Sequence, residues 1–165
     1  MVENYGLITA KSRNGTGIFA DKNFKEQNEV LKLQKGKLIT YEEIEYNKLE
    51  DRYLQIDKKL YFNPFGNTIN FLNHSCDPNT GIIIKENEIY LIAIKDIKKG
   101  EEITFDYSTT MDEDDWTMVC NCGSENCRGI IKDFKYLPTP IQEKYIKLEI
   151  VPDYILKEIC PLNLV

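Results

Sequence analysis

The chain has 165 residues, 42% hydrophobic and 29% charged, the profile of one globular domain with a small appendage rather than of a disordered segment. Lysine and arginine number 21 against 27 aspartates and glutamates, a formal charge of −6. That sign disfavours direct nucleic-acid binding and suits a basic partner such as a Lys/Arg-rich protein tail, unless it serves solubility alone. The longest apolar stretches, such as Ile82–Ile84 and Tyr90–Ile94, fall far short of the ~18–20 residues of a membrane span, so no membrane association is expected. No secretory leader is read at the N-terminus. The five cysteines, at 76, 120, 122, 127 and 160, are odd in number and clustered, which points to reduced thiols and metal in an intracellular, reducing compartment.

In chain order, Asn4–Ala10 reads as a strand, Lys11–Gly17 as a turn and Ile18–Ala20 as a second apolar stretch. Glu29–Gln34 alternates like a strand, and Thr40-Tyr41-Glu42-Glu43 has the form of a capping box, predicting a helix to about Glu50. Tyr53–Asp57 and Lys59–Phe62 are short strand candidates. Gly81–Lys85 and Glu88–Lys95, joined through Glu86-Asn87, carry the clearest hairpin pattern, and Ile103–Tyr107 follows the Lys99-Gly100 turn as another strand. The acidic run Asp112–Asp115 reads as a solvated linker or as an attractor for a basic substrate. Beyond the cysteines, Thr139-Pro140-Ile141-Gln142 predicts a helix with Thr139 as N-cap, Pro140 at N1 and Gln142 at N3, running to about Glu149. Val151-Pro152 breaks it, and Asp153 caps a last helix through about Ile159. Many short strands with helices near the end predict a β-rich α+β fold.

Four segments carry chemistry. Cys120-Asn121-Cys122-Gly123-Ser124-Glu125-Asn126-Cys127 offers three thiolates and a turning glycine, a pattern that can wrap a tetrahedral Zn²⁺. The spacing alone leaves the fourth ligand open among Cys76, Cys160 and the single histidine, His74. Asn70-Phe71-Leu72-Asn73-His74-Ser75-Cys76-Asp77-Pro78-Asn79 packs polar groups against two apolar side chains, and also admits a Cys76–His74 nucleophile pair. Gly100-Glu101-Glu102-Ile103-Thr104-Phe105-Asp106-Tyr107 taken alone is an ordinary strand. Gly15-Thr16-Gly17 lacks the third glycine and long helix of a dinucleotide fingerprint, but exposes backbone groups that a ligand can approach.

In that order, GTG, NHSCDPN, GEEITFDY and CxCx4CRG resemble the SET-domain protein lysine methyltransferases, over about Leu7 to Ile131. The resemblance implies small twisted β-sheets and a pseudoknot joining Asn73–Asp77 to the Glu102–Tyr107 strand. It implies S-adenosylmethionine as cofactor, with a target lysine entering from the opposite face. By the same resemblance Gly15, Thr16, Gly17, Asn73 and His74 contact the cofactor, and Ile131 covers its adenine. Tyr107 is the catalytic tyrosine, and Tyr53 lines the cofactor and lysine site. Cys76 joins Cys120, Cys122 and Cys127 on a structural zinc. Phe105 falls at the family's Phe/Tyr switch, where Phe leaves room for di- or trimethylation. Asn70 stands where the family usually has Arg. The implied division is a SET domain over 1–110, a post-SET zinc segment over 111–132 and a helical extension over 133–165. The implied activity is methylation of a lysine in a basic protein such as a histone. A non-catalytic SET-like binding module and a Cys-His hydrolase are the competing readings.

Overall fold

The computed structural model describes residues 5–34, 37–47, 53–86 and 88–159. Twelve strands run in chain order: β1 (Leu7–Ser12), β2 (Gly15–Ala20), β3 (Glu29–Gln34), β4 (Leu38–Thr40), β5 (Leu54–Asp57), β6 (Leu60–Phe62), β7 (Asn73–His74), β8 (Thr80–Lys85), β9 (Glu88–Ala93), β10 (Glu102–Phe105), β11 (Met118–Val119) and β12 (Ile130–Ile131). Three helices, α1 (Tyr41–Asn47), α2 (Thr139–Lys147) and α3 (Asp153–Ile159), join them. The strands form four small sheets, ordered β1-β2-β10-β7, β3-β9-β8, β4-β6-β5 and β11-β12. The β-rich α+β architecture expected from the pattern of elements is the one observed. Among the described residues no helix is long and apolar enough to cross a membrane.

The main core lies where strands cross. Ile18 and Ile103 face each other in the β2–β10 ladder and are both 0% exposed. Ile82, Ile89, Leu91 and Phe62 continue the cluster. A second cluster gathers Phe134, Leu137, Tyr145, Ile150, Val151 and Ile155 against Ile83 and Ile94 of the first half, so α2 and α3 pack directly on that half. Gly81 permits this: a Cβ there would stand 2.3 Å from Ile150 Cγ2, so only glycine lets α2's trailing segment lie this close to β8.

Several local expectations hold in detail. The Thr40 box closes reciprocally, with Thr40 N donating to Glu43 Oε2 at 2.9 Å and Glu43 N to Thr40 Oγ1 at 3.3 Å. Residues 48–50, the expected end of that helix, lie outside the described residues, as do Asn4 and Cys160. Others shift. The first hairpin is tighter than the expected Lys11–Gly17 turn: β1 runs to Ser12, which pairs with Gly15, and Gly15 takes φ 101° where a side chain would be strained. The strand expected through Tyr107 stops at Phe105, because Asp106 Oδ1 accepts Ser108 N at 3.1 Å and starts a 3₁₀ turn over Tyr107–Thr110. The N-cap expected at Thr139 is corrected. Pro138 occupies the cap, its carbonyl accepts Ile141 N at 2.8 Å, and Thr139 is already helical. The Gln142 amide, expected to reach back to the cap, donates instead to the carbonyls of Leu137 (2.8 Å) and Lys135 (3.2 Å).

Candidate active site and cysteine knuckle

The second and third motifs meet in a crossing of two distant strands. β7 runs parallel to β10, with Asn73 opposite Thr104 and His74 opposite Phe105, and Ser75 N extends the contact to Phe105 O at 3.1 Å. Asn79 locks it by behaving as an extra peptide unit: its Oδ1 accepts Thr104 N at 2.9 Å while its Nδ2 donates to Glu102 O at 2.8 Å. Two short strands thus hold the Asn73-His74 pair beside Tyr107. The phenol of Tyr107 donates to Leu72 O at 2.8 Å, and its ring lies 4.8 Å from that of Phe105 and 5.3 Å from that of His74.

The first motif enters from the β1–β2 hairpin, and its two glycines serve different ends. Gly15 lines a cavity of about 910 Å³, and a Cβ placed on it would meet nothing within 4 Å, so its bare backbone faces open space. Gly17 does not line the cavity. A Cβ there would stand 2.3 Å from Glu102 Oε1 and 3.0 Å from Asn73 Nδ2, so its lack of a side chain makes room for a polar knot. In that knot Asn73 Nδ2 donates to Glu102 Oε1 (2.7 Å), Thr16 O (3.1 Å) and Ser12 Oγ (3.2 Å).

Tyr53, Asn70, Asn73, His74, Phe105 and Tyr107 line the same cavity, as does Thr16. Ile131 is fully buried beneath it, packed with Cys76 and Cys120 against Tyr107, Trp116 and Met118, and is not among the lining residues. Trp116 and Met118 line the wall instead. Neither was singled out in the sequence, although the lone tryptophan between an acidic run and a cysteine cluster was the available signal. The acidic run is held at its backbone rather than loose. Asp112 N donates to Gln55 Oε1 at 2.8 Å, Glu113 N and Asp114 N donate to the buried Asp133 Oδ2 at 3.0 and 2.6 Å, and Glu113 accepts from the Tyr61 phenol.

His74 has both nitrogens engaged. Its Nδ1 accepts Tyr107 N at 3.1 Å, which places the proton on Nε2, 3.3 Å from Cys76 Sγ. Burial lowers its pKa to about 4, outweighing Asp106 3.6 Å away, so the ring is neutral at physiological pH and donates to sulfur. It therefore has no free lone pair with which to act as a base. Cys76 Sγ also receives Arg128 N at 3.4 Å and lies 3.8 Å from Cys120 Sγ. The ligand sulfurs of Cys76, Cys120, Cys122 and Cys127 all fall within 4.8 Å of one another. Four sulfurs at ~2.3 Å from a tetrahedral zinc stand ~3.8 Å apart, so the cluster fits a Zn²⁺ with no open position. Two N–H donors converging on one sulfur are also what a metal-bound thiolate accepts. This geometry disfavours the hydrolase reading: Cys76, next to the histidine, is buried and belongs to a four-sulfur cluster.

The loop between the outer cysteines is closed by the antiparallel β11–β12 pair and by Cys120 N donating to Gly129 O at 2.8 Å. Arg128 directly follows the last cysteine and pairs bidentately with the fully buried Asp106 at 2.7 Å through each nitrogen. That pairing ties the knuckle to the residue preceding Tyr107. Asp106, Arg128, Glu102 and Asn79 were not recognised in the sequence as site residues. Each lies inside a quoted motif, but a motif does not say which members bond to each other.

Comparison with known proteins agrees with this geometry. The SET domain family model matches residues 15–108, ending before the knuckle. The chain is 32% identical over 153 residues to a probable histone-lysine N-methyltransferase, set-23, of Caenorhabditis briggsae, covering 81% of this chain and 61% of that protein. It is 30% identical over 138 residues to human histone-lysine N-methyltransferase 2D, covering 74% of this chain but 2% of that much longer protein. Among solved structures, a humanized mutant of the Chaetomium thermophilum Polycomb Repressive Complex 2 bound to an inhibitor superposes with a TM-score of 0.57 at 27% identity, over 65% of this chain and 15% of that chain. With more than half of its length matched by the family model, the chain belongs to the SET domain family.

Proposed function

We propose that this protein is an S-adenosylmethionine-dependent protein-lysine N-methyltransferase acting on a basic protein, with histones as the first substrates to try. The carrying observation is the crossing of β7 and β10, which puts Tyr107 and the Asn73-His74 pair on one cavity wall. The curated relatives named above are histone-lysine methyltransferases, which supports the same reading.

S-adenosylmethionine, when bound, supplies an electrophilic methyl carbon on a sulfonium. The cavity volume lies within the ~300–1,000 Å³ of small-molecule sites, and Gly15, Thr16, Asn73 and His74 would hold the group. The acceptor must be a neutral amine, yet a lysine of pKa about 10.4 is neutral in well under ~0.1% of molecules at pH 7. A partly apolar cavity next to a positive sulfonium disfavours the ammonium form. The Tyr107 hydroxyl, oriented by its bond to Leu72 O, would align the amine at the cavity wall. With His74 occupied, the cavity's basic groups are the carboxylates of Glu113 and Asp115, and Glu113 already accepts from the Tyr61 phenol. Alignment of amine and methyl then carries the rate, an effect potentially worth ~7–11 kcal/mol. The knuckle completes the wall through Trp116 and Met118 and excludes water.

The test is incubation of the chain with methyl-labelled cofactor and core histones or other basic proteins, followed by mass spectrometry. Label on lysine is expected, with di- or trimethyl product because Phe105 adds no hydroxyl beside Tyr107. Tyr107→Phe should bind cofactor as the wild type does while turnover falls at least ~100-fold. Cofactor binding without transfer to any lysine would make the chain a non-catalytic binding module, and unchanged turnover in Tyr107→Phe would refute the tyrosine's role.

A further inference from the structure

The C-terminal extension matches none of the four motifs, yet one of its side chains ends on Asp106, the residue before Tyr107. Tyr145, within α2, is 1% exposed, and its hydroxyl donates to Asp106 Oδ2 at 3.0 Å across 39 residues of sequence. Burial and the neighbouring carboxylate raise its pKa well above the ordinary phenol value, so it donates at any physiological pH. The same carboxylate receives both terminal nitrogens of Arg128 and the Ser108 backbone N–H. Arg128 Nη2 also lies 3.2 Å from Ser108 Oγ, which donates to Lys132 O at 2.6 Å. One buried anion therefore caps the turn that begins at the cavity tyrosine and reaches the knuckle through Arg128.

A carboxylate with several donors has a fixed plane. Without the Tyr145 hydroxyl, Asp106 keeps Arg128 and Ser108 but gains freedom to rotate, and Arg128 rotates with it. Since Arg128 N donates to Cys76 Sγ and Cys127 is its neighbour in the chain, that freedom passes to the metal cluster. We propose that Tyr145 is a positioning residue: through Asp106 it sets Arg128, and so makes the C-terminal helix a clamp on the cysteine knuckle and on Tyr107. The proposal rests on the roles given above to Tyr107 and the knuckle.

The test compares Tyr145→Phe with Ile150→Val, which loosens the same extension at its Gly81 contact without touching the polar network. In the full-length chain, three quantities are read: zinc release to a chelator, amide exchange over residues 118–131, and kcat with KM for the cofactor. Tyr145→Phe should release zinc about tenfold faster, exchange faster over 118–131, and lose about tenfold in kcat with KM little changed. Ile150→Val should behave as the wild type in all three. Wild-type behaviour of Tyr145→Phe overturns the proposal, and so does an equal effect in Ile150→Val, which would reduce the tyrosine to general packing. A wild type that neither holds zinc nor transfers methyl refutes the functional reading instead, and amide exchange in the two variants still decides the clamp.

Discussion

The crossing of β7 with β10 sits on a continuous apolar core, with Ile18 and Ile103 fully buried in the adjoining β2–β10 ladder. The knuckle over 118–131, which forms the facing part of the wall, has a two-residue ladder and a small cluster of Cys76, Cys120 and Ile131. The first region is built on burial and backbone pairing. The second has instead a cluster of four cysteines, one buried ion pair and the Tyr145 hydrogen bond from the extension. On the proposed function, the first half would fix the reacting geometry while the second, with its smaller core, would cover it. Sites that must admit and release ligands draw such covers from the low-stability end of a fold.

The widest separation between the halves should come from metal. With zinc on the four sulfurs as proposed, chelation or Cys127→Ser should loosen the knuckle and displace Trp116 and Met118 from the cavity wall. Turnover should fall by about two orders of magnitude, because misplacement on the order of 1 Å suffices for that. Amide protection in β2, β8, β9 and β10 should persist. Methyl transfer that survives complete removal of zinc would show that the knuckle is not part of the site, and a global loss of protection would show that the halves are not separable.

Ile103→Ala makes the opposite cut. Its side chain is 0% exposed beneath the crossing, so truncation leaves a cavity and should cost ~2–5 kcal/mol in urea unfolding. Zinc content of the folded fraction should stay at the wild-type value, since no knuckle residue touches Ile103 in its core cluster. Zinc loss in step with stability would mean that the core and the knuckle melt as one unit.

Legibility in the sequence follows the same division. The β8–β9 hairpin, β3, the span of α3 and the Thr40 box were readable because alternation, turn residues and capping pairs are local signals, although the cap of α3 expected at Asp153 falls on Pro152, whose carbonyl accepts Ile155 N at 3.0 Å. The crossing was readable only through resemblance, since Asn73 and Thr104 meet across 31 positions and no periodicity announces a parallel two-residue strand. The four sulfurs came from spacing plus that resemblance, and the structure brings them within one coordination sphere. What escaped was pairing between side chains: Asn73 with Glu102, Asp106 with Arg128 and Tyr145. A tyrosine at helical spacing reads as core, and Tyr145 is core, so its hydroxyl's partner is invisible until the fold places Asp106 beneath it. Tyr107 was read as a strand residue because the turn that begins there depends on the Asp106 side chain rather than on glycine or proline.

The smallest effect belongs to the outer edge of the less stable half. Asp114, in the acidic run, pairs with Lys135 at the entry to the extension, where the two side chains are 68% and 37% exposed. The pair resembles the Asp106–Arg128 contact in charge and differs from it in everything that gives charge its strength. Water and salt screen it, and the long lysine side chain loses rotamer freedom to form it. The backbone around it is fixed independently, by Asp114 N on Asp133 and by Gln142 on the Lys135 carbonyl. Lys135→Met keeps the aliphatic stem beside the Tyr136 ring and deletes only the charge. The melting temperature should therefore match the wild type at both low and high salt, with zinc release and turnover unaltered. A clear, salt-dependent drop would mean that surface charge also fastens the knuckle to the extension, and the buried Asp106–Arg128–Tyr145 contact would then share a role assigned here to it alone.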